Sequence, residues 1–389
     1  MKTFKSSKST KAMLVALVLL VSLLSAFDYP PNNAAVLYYK ASMLYEVDDE
    51  MNDMLSDLRK GRIELNDKIK EFVNKNHRLL TIVLDASEIE FCDWGFDFSQ
   101  GLNVLFPRFG KLKQLTWLIL ADARILAEQG DYETALSRCI SIYKIARHMN
   151  ERPVICYLVG ISLNAVANNC VIEILSDMPQ DMETLTWLKD QLNQMDKRPI
   201  SIKLALYYKR EAGITSMNPQ KISNAISGLD DGACKEDLLE RISSADEKFF
   251  ERNIKYWNNY MDSAEAAIGL PYSEAYSTLK SLDENLVKDL GENPDLALAA
   301  VYAPAWWKIY SLSIRMASHY NAVKTAIEIY MIKAKTGKLP DKLPEGLPKD
   351  LFSGKDFQYE KTSEGFILRC QGKDLVKDEI HEYEFKVKK

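Results

Sequence analysis

The chain has 389 residues, a net charge of −5 and an apolar content of 47%. This composition is ample for a hydrophobic core, and the length suits one large helical domain or two smaller ones. The acidic balance, without a basic stripe interleaved with aromatic residues, argues against a nucleic-acid-binding protein.

The first 27 residues have the pattern of a segment that directs a protein into a membrane. Four lysines precede an uninterrupted apolar run, residues 12–27, and no acidic residue occurs before Asp28. Such lysines stay on the cytoplasmic side while the apolar run enters the lipid. Leu24 is a poor residue for cleavage after Ala26, so we predict an exported protein anchored through residues 12–27. Secretion after cleavage is the alternative.

The spacing of apolar residues predicts a mainly α protein, an irregular array of antiparallel helical hairpins that ends in a small antiparallel β-sheet. We divide the chain after the anchor into a first helical region (28–216), a candidate connection (217–231), a second helical region (232–336) and a tail (337–389). The candidate connection is chosen because it is polar and contains glycine.

The predicted helices follow from three- and four-residue steps between apolar side chains. Asn32 or Asn33 caps the first of them, the stretch 81–84 could also form a strand, and the last helix could be kinked at Pro304. The predicted helices span residues 34–45, 51–74 with an interruption near Gly61, 79–90, 112–129, 133–149, 154–176, 181–196, 199–212, 235–268, 272–290 and 294–336.

A helical hairpin over residues 112–149 is the clearest local feature. Gly130 supplies a left-handed helix end, Asp131 caps the next helix, and Ala135 allows the two backbones to approach closely. The phrase AEQGDYETAL resembles the turn between the helices of a tetratricopeptide repeat. No second copy follows at a 34-residue step, so we expect one hairpin and not a solenoid.

The tail changes character at Gly337. Prolines at 340, 344 and 348 end the helical region, and alternating residues predict strands at 357–361, 365–369 and 382–387. Ser363-Glu364-Gly365 closes a hairpin between the first two strands. The acidic residues Asp374, Asp378 and Glu379 lack the spacing of an EF-hand, and we interpret them as a solvated charged segment.

Motifs for common catalytic sites are missing from the sequence. Four histidines lie far apart at 77, 148, 319 and 381, and we find no serine-hydrolase, phosphate-loop or dinucleotide-binding pattern. We therefore expect no cofactor and no metal, and favour a role other than catalysis. The six cysteines form no CxxC motif, but export would permit a disulfide, for example between Cys139 and Cys156 on adjacent predicted helices.

A catalytic pair of carboxylates is hard to recognise in a sequence, because it has little characteristic motif. Asp93 and Asp97 flank aromatic residues in an irregular segment, as a glycan-hydrolysing pair could. The alternative is that Trp94, Phe96 and Phe98 fill the core while the aspartates cap turns. Trp306 and its aromatic neighbours on the last long helix are likewise interpreted as core residues.

Two stretches carry a resemblance to known families. Gly337-Lys338-Leu339-Pro340, Asp350-Leu351-Phe352-Ser353-Gly354 and Tyr359 are similar to the C-terminal half of type II secretion pseudopilins, in which a long helix leads to a turn and a short sheet. Leu351 stands where that pattern favours proline. The order of the Asn-Ala-Ala helix, the Cys-Asp-Trp segment, the hairpin and the tail resembles a group of exported proteins of planctomycete-type bacteria, which implies no activity.

Three functional hypotheses result. The first is a membrane-anchored, extracytoplasmic helical scaffold that binds a protein partner in the cell envelope, since grooves between helices suit that task. The second is a hydrolase of a cell-envelope glycan that uses Asp93 and Asp97. The third is an accessory component of a secretion or pilus-like system, as the resemblance of the tail implies.

Overall fold

The computed structural model describes residues 32–104, 109–150, 153–197, 199–218, 222 and 239–388. The predicted anchor at 12–27 and nearly all of the candidate connection 217–231 lie outside the described residues. The fold is mainly α with a small C-terminal antiparallel sheet, as predicted.

The described helices follow one another along the chain and the strands come last. Short 3₁₀ helices cover Phe98–Asn103 and Pro294–Leu296. The elements are α1 (Ala34–Leu44), α2 (Asp49–Arg59), α3 (Asp67–Lys75), α4 (His77–Glu88), α5 (Phe109–Glu128), α6 (Tyr132–His148), α7 (Val154–Asp177), α8 (Met182–Asp196), α9 (Ile202–Ser216), α10 (Glu247–Ile268), α11 (Tyr272–Glu292), α12 (Ala297–Tyr302), α13 (Trp306–Thr336), β1 (Gln358–Lys361), β2 (Gly365–Arg369) and β3 (Glu382–Lys386).

Short polar side chains fix the helix starts that the sequence predicts. Asn33 accepts from the Ala35 N–H at 3.1 Å, Asp131 from Thr134 at 3.2 Å and Asp181 from Thr184 at 2.8 Å. Each cap satisfies a backbone donor that the first helical turn leaves without a partner. Gly337 ends α13, the longest of the described helices. It has a φ of 77°, the left-handed conformation that is common just after a helix.

Three predicted helices are divided in the structure, one of them, 235–268, at residues 244–246 just before α10. The stretch 51–74 breaks at Gly61, whose φ is 66°, and becomes α2 and α3. The predicted kink at Pro304 is a complete break: α12 ends at Tyr302 and α13 begins at Trp306. Proline removes one backbone donor and its ring clashes with the preceding turn, which ends the helix here. The stretch 81–84 is helical, within α4.

The centre of the molecule is the hairpin α5–α6 with α7 packed against it. α7 is apolar around most of its circumference, and of the described helices it alone is long and apolar enough to cross a membrane; 61% of its apolar window is buried. A disulfide joins Cys139 on α6 to Cys170 on α7, whose Cα atoms are 6.1 Å apart. The predicted pairing of Cys139 with Cys156 is therefore wrong, and Cys156 is a buried cysteine outside this disulfide.

The tail forms a three-stranded sheet in the order β1-β2-β3, with both pairs antiparallel. Gln358 pairs with Arg369 and Lys361 with Phe366, so the turn at 363–365 closes the first hairpin as predicted. β3 approaches α7 where the Lys386 N–H donates to the Ser176 hydroxyl at 3.4 Å. The Tyr330 hydroxyl of α13 donates to the Lys386 carbonyl at 2.5 Å.

Two buried carboxylates hold the tail together. Asp350 accepts from the backbone N–H groups of Phe352, Gln371 and Gly372, at 2.8 to 2.9 Å. Asp374, which is completely buried, accepts from Arg315 Nε at 2.8 Å and contacts His381 Nε2 at 3.0 Å.

The interpretation of the acidic cluster 374–379 as a solvated segment is therefore wrong for Asp374. Arg315 on α13 lies 59 residues earlier in the chain, so only the tertiary structure brings it to this carboxylate. Among the described residues no group of three or more His, Cys, Asp or Glu side chains could hold a metal ion.

Candidate functional site

Asp93 and Asp97, the carboxylates that the sequence singled out, are exposed and stabilise local turns. Asp93 Oδ1 accepts from the Gly95 N–H at 2.9 Å. Asp97 Oδ1 accepts from the Ser99 N–H at 3.1 Å and Oδ2 from Gln100 Nε2 at 2.9 Å. Neither residue lines one of the two principal cavities described below. Their proposed catalytic role remains a hypothesis.

The aromatic residues beside them belong to the core. Trp94 stacks on Tyr38 with ring centroids 5.5 Å apart, and its indole N–H donates to the His148 carbonyl at 2.9 Å. Phe98 packs edge-on against Tyr208 at 5.2 Å. Trp306 is completely buried. Trp94 and Trp306 are thus buried and are not available for a sugar to stack on.

Two of the histidines, His148 and His319, are held neutral by their surroundings. Burial lowers the pKa of His148 to about 4, and its Nδ1 lies 2.8 Å from the Tyr38 hydroxyl. Burial, with the nearby His381, also lowers the pKa of His319 to about 4, and its ring stacks on Tyr383 at 4.7 Å. Both imidazoles are therefore neutral near pH 7.

The first cavity, which we call the entry cleft, has a volume of about 480 Å³ and lies where α4, α6 and α8 end. The basic side chains of this cleft already have ion-pair or hydrogen-bond partners within the protein. Lys144 pairs with Glu88 at 2.5 Å, and the Arg147 guanidinium donates to the carbonyls of Met195 and Tyr143, both at 3.1 Å. The cleft is lined by Ser87, Glu88, Ile89, Glu90, Cys92, Lys144, Arg147, His148, Asn150, Gln194, Met195 and Lys197.

The second cavity, which we call the tip groove, is larger, at about 690 Å³. Four segments build it: the loop between α2 and α3, the turn of the α5–α6 hairpin, the end of α7, and β3 with the residues after it. The groove is lined by Gly61, Ile63, Glu64, Leu65, Arg124, Ala127, Glu128, Tyr132, Ile172, Glu173, Ile174, Ser176, Asp177, Glu384, Lys386 and Lys388.

The tip groove has an excess of negative charge, since its lining holds five acidic and three basic residues. Arg124 forms a two-point ion pair with Glu173, at 2.9 and 2.6 Å, and also donates to the Leu58 carbonyl. Burial raises the pKa of Glu173, and the neighbouring Asp177 and Glu64 carboxylates raise it further, against the opposing effect of Arg124. Arg124 is thus neutralised by Glu173, and Glu128 pairs with Lys70 at 2.6 Å. The charged residues that remain in the lining are three acids (Glu64, Asp177 and Glu384) and two lysines (Lys386 and Lys388), a small negative excess.

The two cavities lie at opposite ends of α6. Tyr132, its first residue, lines the tip groove, and His148, its last, lines the entry cleft. A helix rises about 1.5 Å per residue, so the two ends are separated by roughly 24 Å along the axis. Sequence reasoning located the hairpin turn but missed the groove, because the walls come from residues 61–65, 124–132, 172–177 and 384–388.

Comparisons with protein-family models, with curated proteins and with solved structures found no match to this chain.

Proposed function

We propose that this chain is an extracytoplasmic, membrane-anchored helical scaffold that binds another protein of the cell envelope. The tip groove is the observation that carries this proposal. It is an open groove in which apolar side chains such as Ile63, Leu65 and Ile172 alternate with charged ones. Grooves between secondary-structure elements bind helices or extended segments of partner proteins through such mixed surfaces.

The charge of the groove favours a partner segment that carries lysine or arginine. Glu64 and Asp177 are exposed, on different segments of the groove wall, and both act on the partly exposed Glu173. A basic side chain placed between them would be attracted by several carboxylates, and complementary charges of this kind chiefly set partner choice and association rate.

Site-specific photo-crosslinking in cells tests this assignment. A photoreactive residue at Glu64 or Glu384, in the groove, should give one discrete adduct with an envelope protein. The matched control is Glu284, an exposed acid on α11 that is remote from the groove lining. Equal adduct patterns at all three positions, or none at the groove positions in correctly folded protein, would contradict the proposal.

Charge reversal sharpens the same experiment. With the photoreactive residue at position 384, Glu64→Lys combined with Asp177→Lys should reduce the yield of the adduct about tenfold, since like charges at an interface cost of the order of a few kcal/mol. Glu284→Lys should leave the yield unchanged, and raising the salt concentration should weaken the wild-type adduct.

The two alternatives draw less support from the described residues. Asp93 and Asp97 already accept hydrogen bonds from local backbone N–H groups. If Asp93→Asn and Asp97→Asn together altered the glycan composition of the envelope, the hydrolase hypothesis would replace the scaffold. The secretion-system hypothesis predicts fibres or co-purification with an inner-membrane platform.

A further inference from the structure

A rigid clamp joins the start of the described chain to the Cys-Asp-Trp segment. The Ala34 N–H donates to the Phe91 carbonyl at 2.9 Å. Asn33 and Asp93 are tied in both directions, since Asn33 Nδ2 donates to the Asp93 carbonyl and the Asp93 N–H donates to Asn33 Oδ1, each at 2.9 Å. The point at which the chain enters the helical body is therefore fixed beside Phe91.

Large apolar side chains are exposed at this end of the molecule. Phe91 is 58% exposed and Val36, in the first turn of α1, is 50% exposed. Ile155, in the first turn of α7, is 42% exposed. α7 begins six residues after His148, whose carbonyl accepts the indole N–H of Trp94 at 2.9 Å, so the start of α7 lies at the same end.

The covalent distance to the apolar run is short. Four residues, 28–31, separate Phe27 from Asn32. A chain spans at most about 3.6 Å per residue, so Asn32 lies within roughly 18 Å of Phe27 whatever the conformation between them. The polar zone of a bilayer leaflet takes up about 5 to 8 Å of that length. An anchored body cannot move its entry end farther than about 10 to 13 Å from the lipid headgroups.

From this constraint we infer that the entry end of the body rests on the membrane, with Phe91, Val36 and Ile155 in contact with the lipid interface. Aromatic and aliphatic side chains at the headgroup level are favourable there, whereas in water they stay unburied. The tip groove then lies at the other end of α6, up to about 24 Å farther from the lipid. This inference rests on the proposed anchor, and it adds the orientation of the body and the lipid contact.

Spin-label accessibility in the full-length protein reconstituted into phosphatidylethanolamine–phosphatidylglycerol vesicles tests the orientation. In a background in which Cys92 and Cys234 are replaced by Ser, single labels are placed by Phe91→Cys, Val36→Cys and Ile155→Cys. Val287→Cys on α11, whose parent side chain is 71% exposed, and Glu384→Cys in the tip groove are the controls. Collisions with oxygen, which concentrates in lipid, are compared with collisions with a water-soluble nickel chelate.

We expect the oxygen-to-nickel collision ratio at positions 36, 91 and 155 to exceed that at 287 and 384 at least threefold. Vesicle flotation at alkaline pH reports the anchor separately. Protein that floats but shows equal ratios at all five positions would overturn the orientation and leave the anchor standing. Protein that does not float would overturn both.

Discussion

The helical body and the tail are stabilised in different ways. In the body, α5, α6 and α7 bury long apolar faces against one another and are joined by the Cys139–Cys170 disulfide. The tail buries far fewer apolar side chains, among them Phe352, Phe366 and Phe385, and depends on two buried carboxylates that collect donors from several segments. A small sheet that cannot bury enough apolar surface obtains its fixed position from charged hydrogen bonds.

The largest expected effect is at Asp374. Replacement by Ala leaves the guanidinium of Arg315 without its carboxylate and two backbone N–H groups, of Val376 and Lys377, without an acceptor. We expect a loss of about 3 to 5 kcal/mol in the free energy of unfolding, measured by urea titration, since breaking a buried ion pair leaves an uncompensated charge.

Asp378→Asn is the matched control for that substitution. Asp378 is exposed and adopts a φ of 60°, which asparagine tolerates well. We expect a change below about 0.5 kcal/mol, since exposed ion pairs contribute little. A similar loss for both variants would contradict the role given to Asp374.

The disulfide of the helical body should have the next largest effect. Cys139→Ala combined with Cys170→Ala should lower the free energy of unfolding by about 3 kcal/mol, because the bond closes a loop with a sequence separation of 31 residues. A reductant should destabilise the wild type by a similar amount and should leave the double variant unchanged. A wild type that is insensitive to reductant would show that the bond does not form.

As the pH falls, the tail should lose stability before the helical body does. Burial alone would raise the pKa of Asp374, but hydrogen bonds from His381 and Arg315 together lower it below the ordinary value of 3.8. A carboxyl with a lowered pKa contributes stability above its unfolded pKa and loses that contribution as the pH falls through the lowered folded value. We expect protease cleavage within residues 350–388 to increase below about pH 4 before the helical circular dichroism signal falls. The tail of the Asp374→Ala variant should lack this pH dependence.

The smallest expected effect is at the clamp. Asn33→Ala removes the cap of α1 and both side-chain hydrogen bonds to Asp93, and we expect a loss of about 1 to 2 kcal/mol. Asn32→Ala, at the exposed neighbouring position, should change the stability by less than about 0.5 kcal/mol. A polar contact in the body is thus expected to contribute less than the buried carboxylate of the tail.

The helices could be predicted from the sequence, whereas the walls of the two cavities could not. The sequence drew attention to Asp93 and Asp97 because an irregular, aromatic segment is a common place for catalysis. In the structure these carboxylates cap turns, while the Cys92 beside them lines the entry cleft. Charged residues of a groove give no periodic signal, because each wall segment contributes only a few residues and the spacing between segments depends on packing.

The sequence by itself determined the local features of this protein. The caps at Asn33, Asp131 and Asp181, the end of α13 at Gly337 and the strands of the tail depend on residues within a few positions of one another, and local sterics and hydrogen bonds specify them. Only the tertiary structure decided the pairing of Cys139 with Cys170, the burial of Asp374 against Arg315 and the walls of the tip groove. These features depend on the offset at which separate helices pack, and that offset is set by the shapes of whole apolar faces.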